Sequence, residues 1–460
     1  MINNNNDTIA AVATPPGENG IGIIRLSGPD AIAIAEGVFQ SKKSIKLSES
    51  KSHALHYGYV VDGQERIDEI LLSVMRAPAT YTREDVVEIN CHGGNIVLRR
   101  VLDLIVKRGA RIAEPGEFTK RAFLNGRIDL SQAEATLDII RSRTDESLKV
   151  AQRQLGGELA LKIKDVRNAL MDIMAYVESD INFPDEDLDA IKEDKLKTSL
   201  ENVKRDLIDL IESSNNGRIL RDGITAVICG KTNVGKSSLM NSFLKQDRVI
   251  VTPTPGTTRD SIEEIVNVKG IPIRIVDTAG IMHAEDELTR ESIERSKHHM
   301  MTADLILLVL DSSDELNKQD LDIIDIVKDK KTLVVVNKTD LPEALQIDQI
   351  KEHLRKNKIL KISVKNKSGL KELEEAIYDM VFSGKVTVEN IFLSNSRHIE
   401  AGRKALNFVD ASLVGLTQKR YWELLSIDIR EAAESLGVIT GDVFTEDLLD
   451  VIFSKFCIGK

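Results

Sequence analysis

The stretch that decides the fold is Gly230-Lys231-Thr232-Asn233-Val234-Gly235-Lys236-Ser237, which has the spacing G-x-x-x-x-G-K-S. An apolar run typical of a buried strand precedes it, at residues 224–229, and a helical pattern follows it. In this context the glycines let main-chain N–H groups surround phosphates, the lysine adds a positive charge, and the serine hydroxyl can bind Mg²⁺. The pattern predicts a nucleotide-binding phosphate loop and disfavours an ordinary glycine-rich turn.

The surrounding residues, 223–384, alternate apolar runs with helical segments. The strand-like runs lie at 224–229, 271–276, 304–310, 332–336 and 359–362. Such alternation is typical of a mainly parallel sheet covered by helices on both faces. We therefore predict a Ras-like, doubly wound α/β domain over 223–384.

Two further motifs lie at the ends of predicted strands. The first, Asp277-Thr278-Ala279-Gly280, offers a carboxylate that can reach Mg²⁺ through water and a glycine that can meet the γ-phosphate. The second, Asn337-Lys338-Thr339-Asp340, offers a carboxylate that accepts hydrogen bonds from guanine N1–H and N2–H₂, a pair that adenine lacks. Ser363 begins a weaker match to a loop that supports the guanine. In this order the motifs predict a GTPase.

The threonine-rich segment 252–260, TPTPGTTRD, is predicted to form a switch loop in which Thr258 binds Mg²⁺. The residue after Gly280 is Ile281, which cannot orient an attacking water as a glutamine would. A monovalent cation held by Asn233 and by oxygens of the threonine-rich segment is one source of compensating charge; the alternative is that Asn233 only forms the turn. The predicted nucleotide-binding set is Asn233, Val234, Gly235, Lys236, Ser237, Ser238, Thr252, Thr254, Thr257, Thr258, Asp277, Thr278, Ala279, Gly280, Asn337, Lys338, Asp340 and Ser363.

The composition limits the class of protein. The chain has 460 residues, 42% hydrophobic and 29% charged, which is ordinary for a globular protein of about three domains. Its net charge of −11 argues against binding nucleic acid through bulk charge. Three cysteines (Cys91, Cys229 and Cys457) fit neither a disulfide framework nor a zinc site. No signal-peptide pattern and no apolar stretch of about 18 residues is seen, so we expect a cytoplasmic protein without a membrane segment.

The remaining sequence predicts two more kinds of domain. Residues 1–122 mix short apolar runs, at 21–26, 69–74 and 86–89, with glycine and proline turns, which predicts an α+β domain. Residues 123–222 and 385–460 have mostly helical patterns, including one uninterrupted by proline over 130–181. We predict a multidomain α/β and α protein in which the 223–384 domain is inserted between the two parts of one helical domain.

Further motifs lie outside the nucleotide-binding domain: DTIAA at 7–11, ATPPG at 13–17, EDVVE at 84–88, HGG at 92–94, PGEFT at 115–119, RAFLNGR at 121–127 and FCIGK at 456–460. Through these and the GTPase motifs the chain resembles the tRNA-modification GTPase MnmE (TrmE) family over nearly its whole length. The resemblance implies that residues 1–122 bind folate and mediate homodimerisation. It also implies K⁺-stimulated GTP hydrolysis and a partner, the flavoprotein MnmG, with which the family modifies C5 of the wobble uridine of certain tRNAs. A tetrahydrofolate derivative, 5-formyl or 5,10-methylene, would supply a one-carbon unit for this aminomethyl or carboxymethylaminomethyl addition.

Residue roles follow from the resemblance position by position. Four positions match folate contacts, and for each the alternative is an ordinary surface or structural ion pair: Arg25, Glu88, Arg127 and Lys460. Four match a K⁺-binding loop: Asn233, Thr252, Thr254 and Thr257. Lys236 and Asp277 are expected to be essential for hydrolysis. Cys457 matches a terminal cysteine that acts in the modification, whereas a lone cysteine near a terminus is usually inert.

The sequence also departs from the family. Thr289 stands where the family usually has a glutamate that orients the attacking water, so either Glu287 or Glu291 substitutes through a register shift or hydrolysis depends more on the cation. Arg83 replaces a glycine and Thr232 a proline. The functional alternative is a GTP-regulated binding or assembly factor, for example one associated with ribosomes, without its own modification role.

Overall fold

The computed structural model describes residues 7–42, 45–182, 190–247, 263–277, 298–382 and 393–460. Contacts divide the chain into two compact units: one comprises Met1–Leu137 and Leu436–Lys460, and the other comprises Asp138–Ser435. The last residues of the chain therefore belong to the same unit as its first strands. Within the described ranges, no helix is long and apolar enough to cross a membrane.

The first unit is built on a seven-stranded sheet. Its strands are β1 (Ile9–Val12), β2 (Asn19–Ser27), β3 (Phe39–Ser41), β4 (Ala54–Asp62), β5 (Glu65–Met75), β6 (Val86–Gly93) and β7 (Arg111–Ile112). The spatial order is β3-β4-β5-β6-β2-β1-β7, and only the β1–β7 pair among these is parallel. Register in the centre of the sheet is set by alternation of buried and outward residues, which places Arg25 directly opposite Glu88.

Helices cover this sheet and hold the end of the chain against it. The helices wholly within the unit are α1 (Ala31–Glu36), α2 (Asn95–Lys107), α3 (Glu117–Leu124) and the last helix of the chain, α14 (Glu446–Phe453). Apolar residues of α1 and α2 pack with those of the central strands into one core. A second core joins residues of α3 with Phe453 and Phe456. The α+β character predicted for the N-terminal part is confirmed.

The second unit contains a six-stranded sheet with the predicted doubly wound arrangement. Its strands are β8 (Ile224–Cys229), β9 (Glu263–Val268), β10 (Ile271–Asp277), β11 (Leu305–Asp311), β12 (Thr332–Asn337) and β13 (Ile359–Lys361). The order is β13-β12-β11-β8-β10-β9, and every pair is parallel except β9 with β10. Separate apolar clusters lie on the two faces. The associated helices are α8 (Lys236–Asp247), α9 (Lys318–Val327), α10 (Ile347–His353) and α11 (Leu370–Val381).

The other described helices are α4 (Leu130–Arg141), α5 (Asp145–Leu155), α6 (Glu158–Asn182), α7 (Ala190–Asp222), α12 (Ser396–Thr417) and α13 (Trp422–Thr440). The single helical pattern over 130–181 is thus divided into three. Thr144 causes the first break, because its hydroxyl caps α5 by accepting a hydrogen bond from Ser147 N and donates to the carbonyl of Gly270. Gly156 ends α5. A polar cap and a glycine, not a proline, therefore interrupt the pattern.

Candidate functional sites

The phosphate loop lies between β8 and α8, as its sequence context requires. Gly230 and Gly235 have positive φ angles of 145° and 100°. A Cβ at Gly230 would lie 2.2 Å from the carbonyl oxygen of Val309, and one at Gly235 would lie 2.3 Å from Asn337 Nδ2. Both positions therefore need glycine for their conformation and for their close neighbours.

Lys236 holds the loop in a closed turn. It is only 5% exposed, and its Nζ donates to the main-chain oxygens of Gly230 at 2.8 Å and Lys231 at 2.6 Å. These contacts keep an ammonium group inside the loop, where it can exchange a carbonyl for a phosphate oxygen.

Lys231 anchors the same loop from outside. Its Nζ lies 2.6 Å from Asp314 Oδ2 and 3.1 Å from Asp320 Oδ2, and Asp320 is buried at the start of α9. Burial by itself would lower the pKa of Lys231, but the hydrogen bonds that Lys231 donates to these two carboxylates raise it. The sequence alone does not single out Lys231, because nothing local to the loop reveals partners that lie more than 80 positions away.

Asn337 connects the phosphate loop with the predicted guanine loops. Its side-chain amide donates from Nδ2 to the carbonyl of Val234 at 2.9 Å and accepts at Oδ1 from the main-chain N–H of Val364 at 3.2 Å. Asn337 is 3% exposed. One amide group therefore fixes two loops that come from different strand ends.

Asp340 is prepared to accept hydrogen bonds. The hydroxyl of the buried Ser363 donates to its Oδ1 at 2.6 Å, and this bond lowers the pKa of the Asp340 carboxyl below its ordinary value. Ser363 also accepts from the N–H of Asn366, which orients the hydroxyl. Asp340 is thus ionised at neutral pH, as recognition of the two guanine N–H groups requires.

Lys338 follows Asn337 with a positive φ of 63°, and its Nζ contacts Asp311 Oδ2 at 2.6 Å. Burial would raise the pKa of Asp311, but hydrogen bonds from Lys338 and Ser313 outweigh burial and lower it. Asp311 ends β11, next to the end of β12, so its position at the strand ends is the signal by which it could have been recognised.

Several predicted residues can be placed only in part. Asn233 is exposed in the phosphate loop with a φ of 64°, and Ser237 and Ser238 are exposed at the start of α8. The main chain of Asp277 ends β10 and lies opposite Ile228 of β8. The others of the predicted set lie outside the described residues: Thr252, Thr254, Thr257, Thr258, Thr278, Ala279, Gly280 and Thr289.

A second site lies in the first unit, at the paired strands β2 and β6. Arg25 Nε contacts Glu88 Oε1 at 2.8 Å, and the two side chains are 20% and 24% exposed. Arg25 also donates from Nη1 to the carbonyl of Gly459 at 3.1 Å, and its guanidinium lies 5.7 Å from the centroid of Phe118. The structure thus brings two of the four predicted folate residues together beside the C-terminal peptide.

The C-terminal peptide is tied to α3 and to the residues before it. The N–H of Phe118 donates to the carbonyl of Lys460 at 3.1 Å, and the N–H of Gly116 donates to the carbonyl of Cys457 at 3.4 Å. A Cβ at Gly116 would lie 2.7 Å from the carbonyl of Phe453, so this approach needs a glycine. The main chain of Gly459 thus contacts Arg25, and that of Lys460 contacts Phe118. The Cys457 residue is exposed to solvent.

Arg127, the fourth predicted folate residue, lies against Tyr81. Its guanidinium is 4.6 Å from the centroid of the Tyr81 ring, and the Tyr81 hydroxyl is 3.0 Å from that of Thr119. Among the described contacts, none joins Arg127 directly to Arg25 or Glu88. Tyr81 packs against the cluster that contains Phe118, whose ring centroid is 5.7 Å from the guanidinium of Arg25.

The three cysteines differ in environment. Burial raises the pKa of the Cys91 and Cys229 thiols, each to about 12, so both are protonated at neutral pH. Cys229 belongs to a core cluster of the second sheet, as expected for a strand residue. Cys457 is the exposed cysteine. Of the three, it is the one that can react with an external partner.

The closed phosphate loop, the Asn337 amide and the ionised Asp340 on one doubly wound sheet define the class of protein, a P-loop GTPase. Residues 130–457 match the family described as "MnmE helical domain", and residues 8–127 match "GTP-binding protein TrmE N-terminus". The tRNA modification GTPase MnmE of Alkaliphilus metalliredigens (strain QYMF) is 48% identical over 457 residues, which cover 99% of either chain. The protein of the same name from Clostridioides difficile (strain 630) is 47% identical over 455 residues, again 99% of either chain. The chain belongs to the MnmE family of tRNA modification GTPases.

Proposed function

We propose that this protein uses GTP hydrolysis to drive modification of C5 of the wobble uridine in certain tRNAs, together with the flavoprotein MnmG. The product would be an aminomethyl or carboxymethylaminomethyl group. The observation that carries the proposal is the Arg25–Glu88 pair beside the C-terminal peptide, because a GTP-regulated assembly factor has no use for such a site.

The nucleotide site supports GTP as substrate. Lys236 provides a positive charge for the β- and γ-phosphates, and Asp340 selects guanine through two hydrogen bonds. Asn337 keeps the phosphate and base loops at a fixed separation. Ser237 and Thr258 would hold Mg²⁺, which neutralises phosphate charge, and Asp277 would contact this ion through water.

The proposal includes stimulation by K⁺. Asn233 presents an exposed side-chain amide from the phosphate loop, and an amide oxygen is a suitable ligand for a hard cation. Thr252, Thr254 and Thr257 would complete the site with oxygens. A cation there supplies positive charge beside the phosphates in a chain that has Ile281 in place of a glutamine.

The donor set of the second site fits a reduced folate. Arg25 uses Nε and Nη1 in the contacts described, and Glu88 uses Oε1, so Nη2 of the arginine and Oε2 of the glutamate remain available to a ligand. A carboxylate oxygen accepts from pterin N–H groups, and a guanidinium nitrogen donates to a carbonyl or carboxylate. Arg127 and Lys460 would add positive charge. When bound, the folate supplies the one-carbon unit of the modification.

The proposal further includes a cytoplasmic homodimer in which the N-terminal domain, residues 1–122, mediates dimerisation. Residues 223–384 are proposed to form a domain inserted into the helical domain. Binding of tRNA would depend on local basic contacts or on the partner, since the protein's net charge of −11 repels RNA phosphates over longer distances. Cys457 is the residue proposed to act in the modification itself.

The test is nucleoside analysis of tRNA from a strain that lacks the gene. We expect loss of the modified wobble uridine, restoration by the wild-type gene, and no restoration by a gene encoding Arg25→Gln and Glu88→Gln. Unchanged wobble uridines after deletion would contradict the proposal and favour the assembly factor.

Hydrolysis is tested by measuring GTP turnover in KCl and in NaCl at equal ionic strength. We expect a higher rate in KCl, and equal rates would remove the cation from the proposal. The same series with Glu287→Ala, Thr289→Ala and Glu291→Ala identifies the residue that orients the water. We expect a modest effect for Thr289→Ala, because a threonine hydroxyl carries no charge.

A further inference from the structure

The first unit has an open cleft of 510 Å³ that is lined by two arginines. His53, Arg83 and Arg127 line it together with Tyr81, and none of its lining residues is acidic. Two other arginines of the first unit, Arg25 and Arg121, differ from these because each is paired with a carboxylate. In the described part of the chain, neither Arg83 nor Arg127 forms an ion pair, so no carboxylate competes there with an external anion.

The positions of the two arginines are fixed by the protein. Arg83 donates from Nη1 to the carbonyl of Asn125 at 2.9 Å, and the amide of Asn125 donates in turn to the carbonyl of Thr82 at 2.6 Å. This link holds Arg83 beside the segment that carries Arg127. The guanidinium of Arg127 is positioned by the ring of Tyr81. Two like charges are thus kept close to each other by contacts that do not neutralise them.

Backbone conformation points to the same place. His53 and Arg83 both have a φ of 60°, in the left-handed region; histidine enters this region more readily than most residues, but arginine seldom does. Unfavourable backbone conformations in folded proteins concentrate at ligand-binding positions. The one at Arg83 occurs in the lining of the cleft.

The cleft is connected to the Arg25–Glu88 site through aromatic side chains. Tyr81 lines the cleft and packs against the cluster that contains Phe118, and Phe118 lies under the guanidinium of Arg25. Phe118 is fully buried, so a ligand whose head group lies at Arg25 and Glu88 would extend its anionic part over the partly exposed Tyr81 toward Arg127 and Arg83.

We propose that the cleft binds the γ-linked polyglutamate tail of a folate, with Arg127 and Arg83 pairing with successive tail carboxylates. This inference rests on the proposed function, since it assumes that the head group of a folate occupies the Arg25–Glu88 site. It adds that the protein discriminates between folates by tail length and that Arg83 determines this specificity.

The experiment compares two probes, 5-formyltetrahydrofolate with one glutamate and with five, by calorimetry on the full-length protein. We expect the pentaglutamate to bind about tenfold more tightly, which corresponds to roughly 1.4 kcal/mol, the value of one good charge-assisted contact. Because the contact is exposed, we expect this ratio to fall toward one at high KCl concentration.

Arg83→Gly is the decisive variant, because glycine adopts a φ of 60° without strain and the fold should persist. We expect it to reduce the affinity ratio to about twofold or less. Arg83→Gln should have the same effect, whereas the matched control Arg100→Gln, which removes an exposed arginine paired with Glu65, should keep the wild-type ratio. Arg25→Gln should weaken both probes and leave the ratio unchanged.

The outcomes separate the two proposals. If both probes bind wild type equally, the tail site is wrong and the folate site stands. If neither probe binds, the folate site is wrong and the tail site with it. A wild-type ratio that persists in Arg83→Gly, or an effect of Arg83→Gly on tRNA affinity alone, would also overturn the inference, and the second result would identify the cleft as an RNA contact.

Discussion

The guanine-nucleotide site and the Arg25–Glu88 site hold their functional groups in different ways. In the nucleotide site Lys236, Asn337 and Ser363 are 5%, 3% and 1% exposed, and each makes at least two hydrogen bonds within or between the loops of the site. In the second site Arg25 and Glu88 are 20% and 24% exposed and lie on the surface of a sheet.

This difference determines what each site responds to. Buried, fully bonded groups hold a fixed shape, so a change of one methyl group can displace several contacts. Partly exposed charges act through electrostatic attraction, which is screened by salt. A single substitution at such a site removes only part of this attraction. We therefore expect abrupt losses in the first site and graded, salt-dependent losses in the second.

The largest expected effect is that of Gly235→Ala. The added Cβ would meet Asn337 Nδ2 at 2.3 Å, and φ is 100°, so the change displaces the amide that joins the two loops. We expect GTP affinity, measured with a fluorescent GTP analogue, to fall roughly 100-fold or more, the effect of about 3 kcal/mol of strain. Gly63→Ala is the control, because its φ is also positive, at 61°, but nothing lies near its Cβ. If Gly235→Ala bound the GTP analogue as tightly as the wild type, the nucleotide site would not depend on a fixed shape.

Asp340→Asn should have the next largest effect. An asparagine offers one acceptor and one donor where guanine needs two acceptors, so we expect about 30- to 100-fold weaker GTP binding, in line with the loss of a charged hydrogen bond. Xanthosine triphosphate, whose base presents the complementary groups, should bind more tightly than to wild type. Asp348→Asn, an exposed aspartate in α10, serves as the control. Unaltered base preference would mean that another group selects guanine.

Arg25→Gln tests the charge-based site. We expect about tenfold weaker binding of 5-formyltetrahydrofolate by calorimetry, because one of the charged donors is lost and the other groups stay in place. Wild-type affinity should decrease as KCl increases, whereas that of the variant should change less. An abrupt, salt-independent loss would show that this site, too, depends on a fixed shape.

The smallest expected effect concerns His92, an exposed residue at the end of β6. A hydrogen bond to Asp68, and then the charge of that carboxylate, raise the pKa of His92 above its ordinary value of 6.5. The interaction therefore stabilises the fold fully below pH 6.5 and is lost as pH rises through the higher folded pKa. We expect an NMR titration midpoint above 6.5 and a slight decrease in melting temperature over that pH range, absent in His92→Gln. A midpoint at or below 6.5 would show that the pair does not form in solution.

The sequence predicts the two sites unequally, for a physical reason. The nucleotide site is assembled from strand ends of a parallel sheet, so short motifs and apolar runs identify it, and the fold class follows from their order. Antiparallel β9 is not predicted, because it begins with Glu263-Glu264 and forms an edge of the sheet. The breaks between helices at Thr144 and Gly156 are not predicted either, because the expectation of one continuous helical pattern depends on the absence of proline.

The second site depends on pairings over long distances in the chain. Arg25 meets Glu88 only through the register of β2 with β6, and it meets Gly459 only because the end of the chain packs against α3. No local pattern specifies either contact. The resemblance to a family therefore predicts these residues, whereas Tyr81, Phe118 and Arg83 are recognised as their neighbours from the structure.

The Asn337 amide has a thermodynamic consequence. Because one side chain donates to the phosphate loop and accepts from the guanine loop, neither loop can rearrange without changing the hydrogen bonding of the other. The free energies of binding the base and the phosphates should then be non-additive. GTP should bind more tightly than the separate affinities of guanosine and inorganic triphosphate predict, even after the entropic advantage of joining the two in one molecule is taken into account. Release of GDP would be a single cooperative event, and any molecule that displaces the base would also loosen the phosphates.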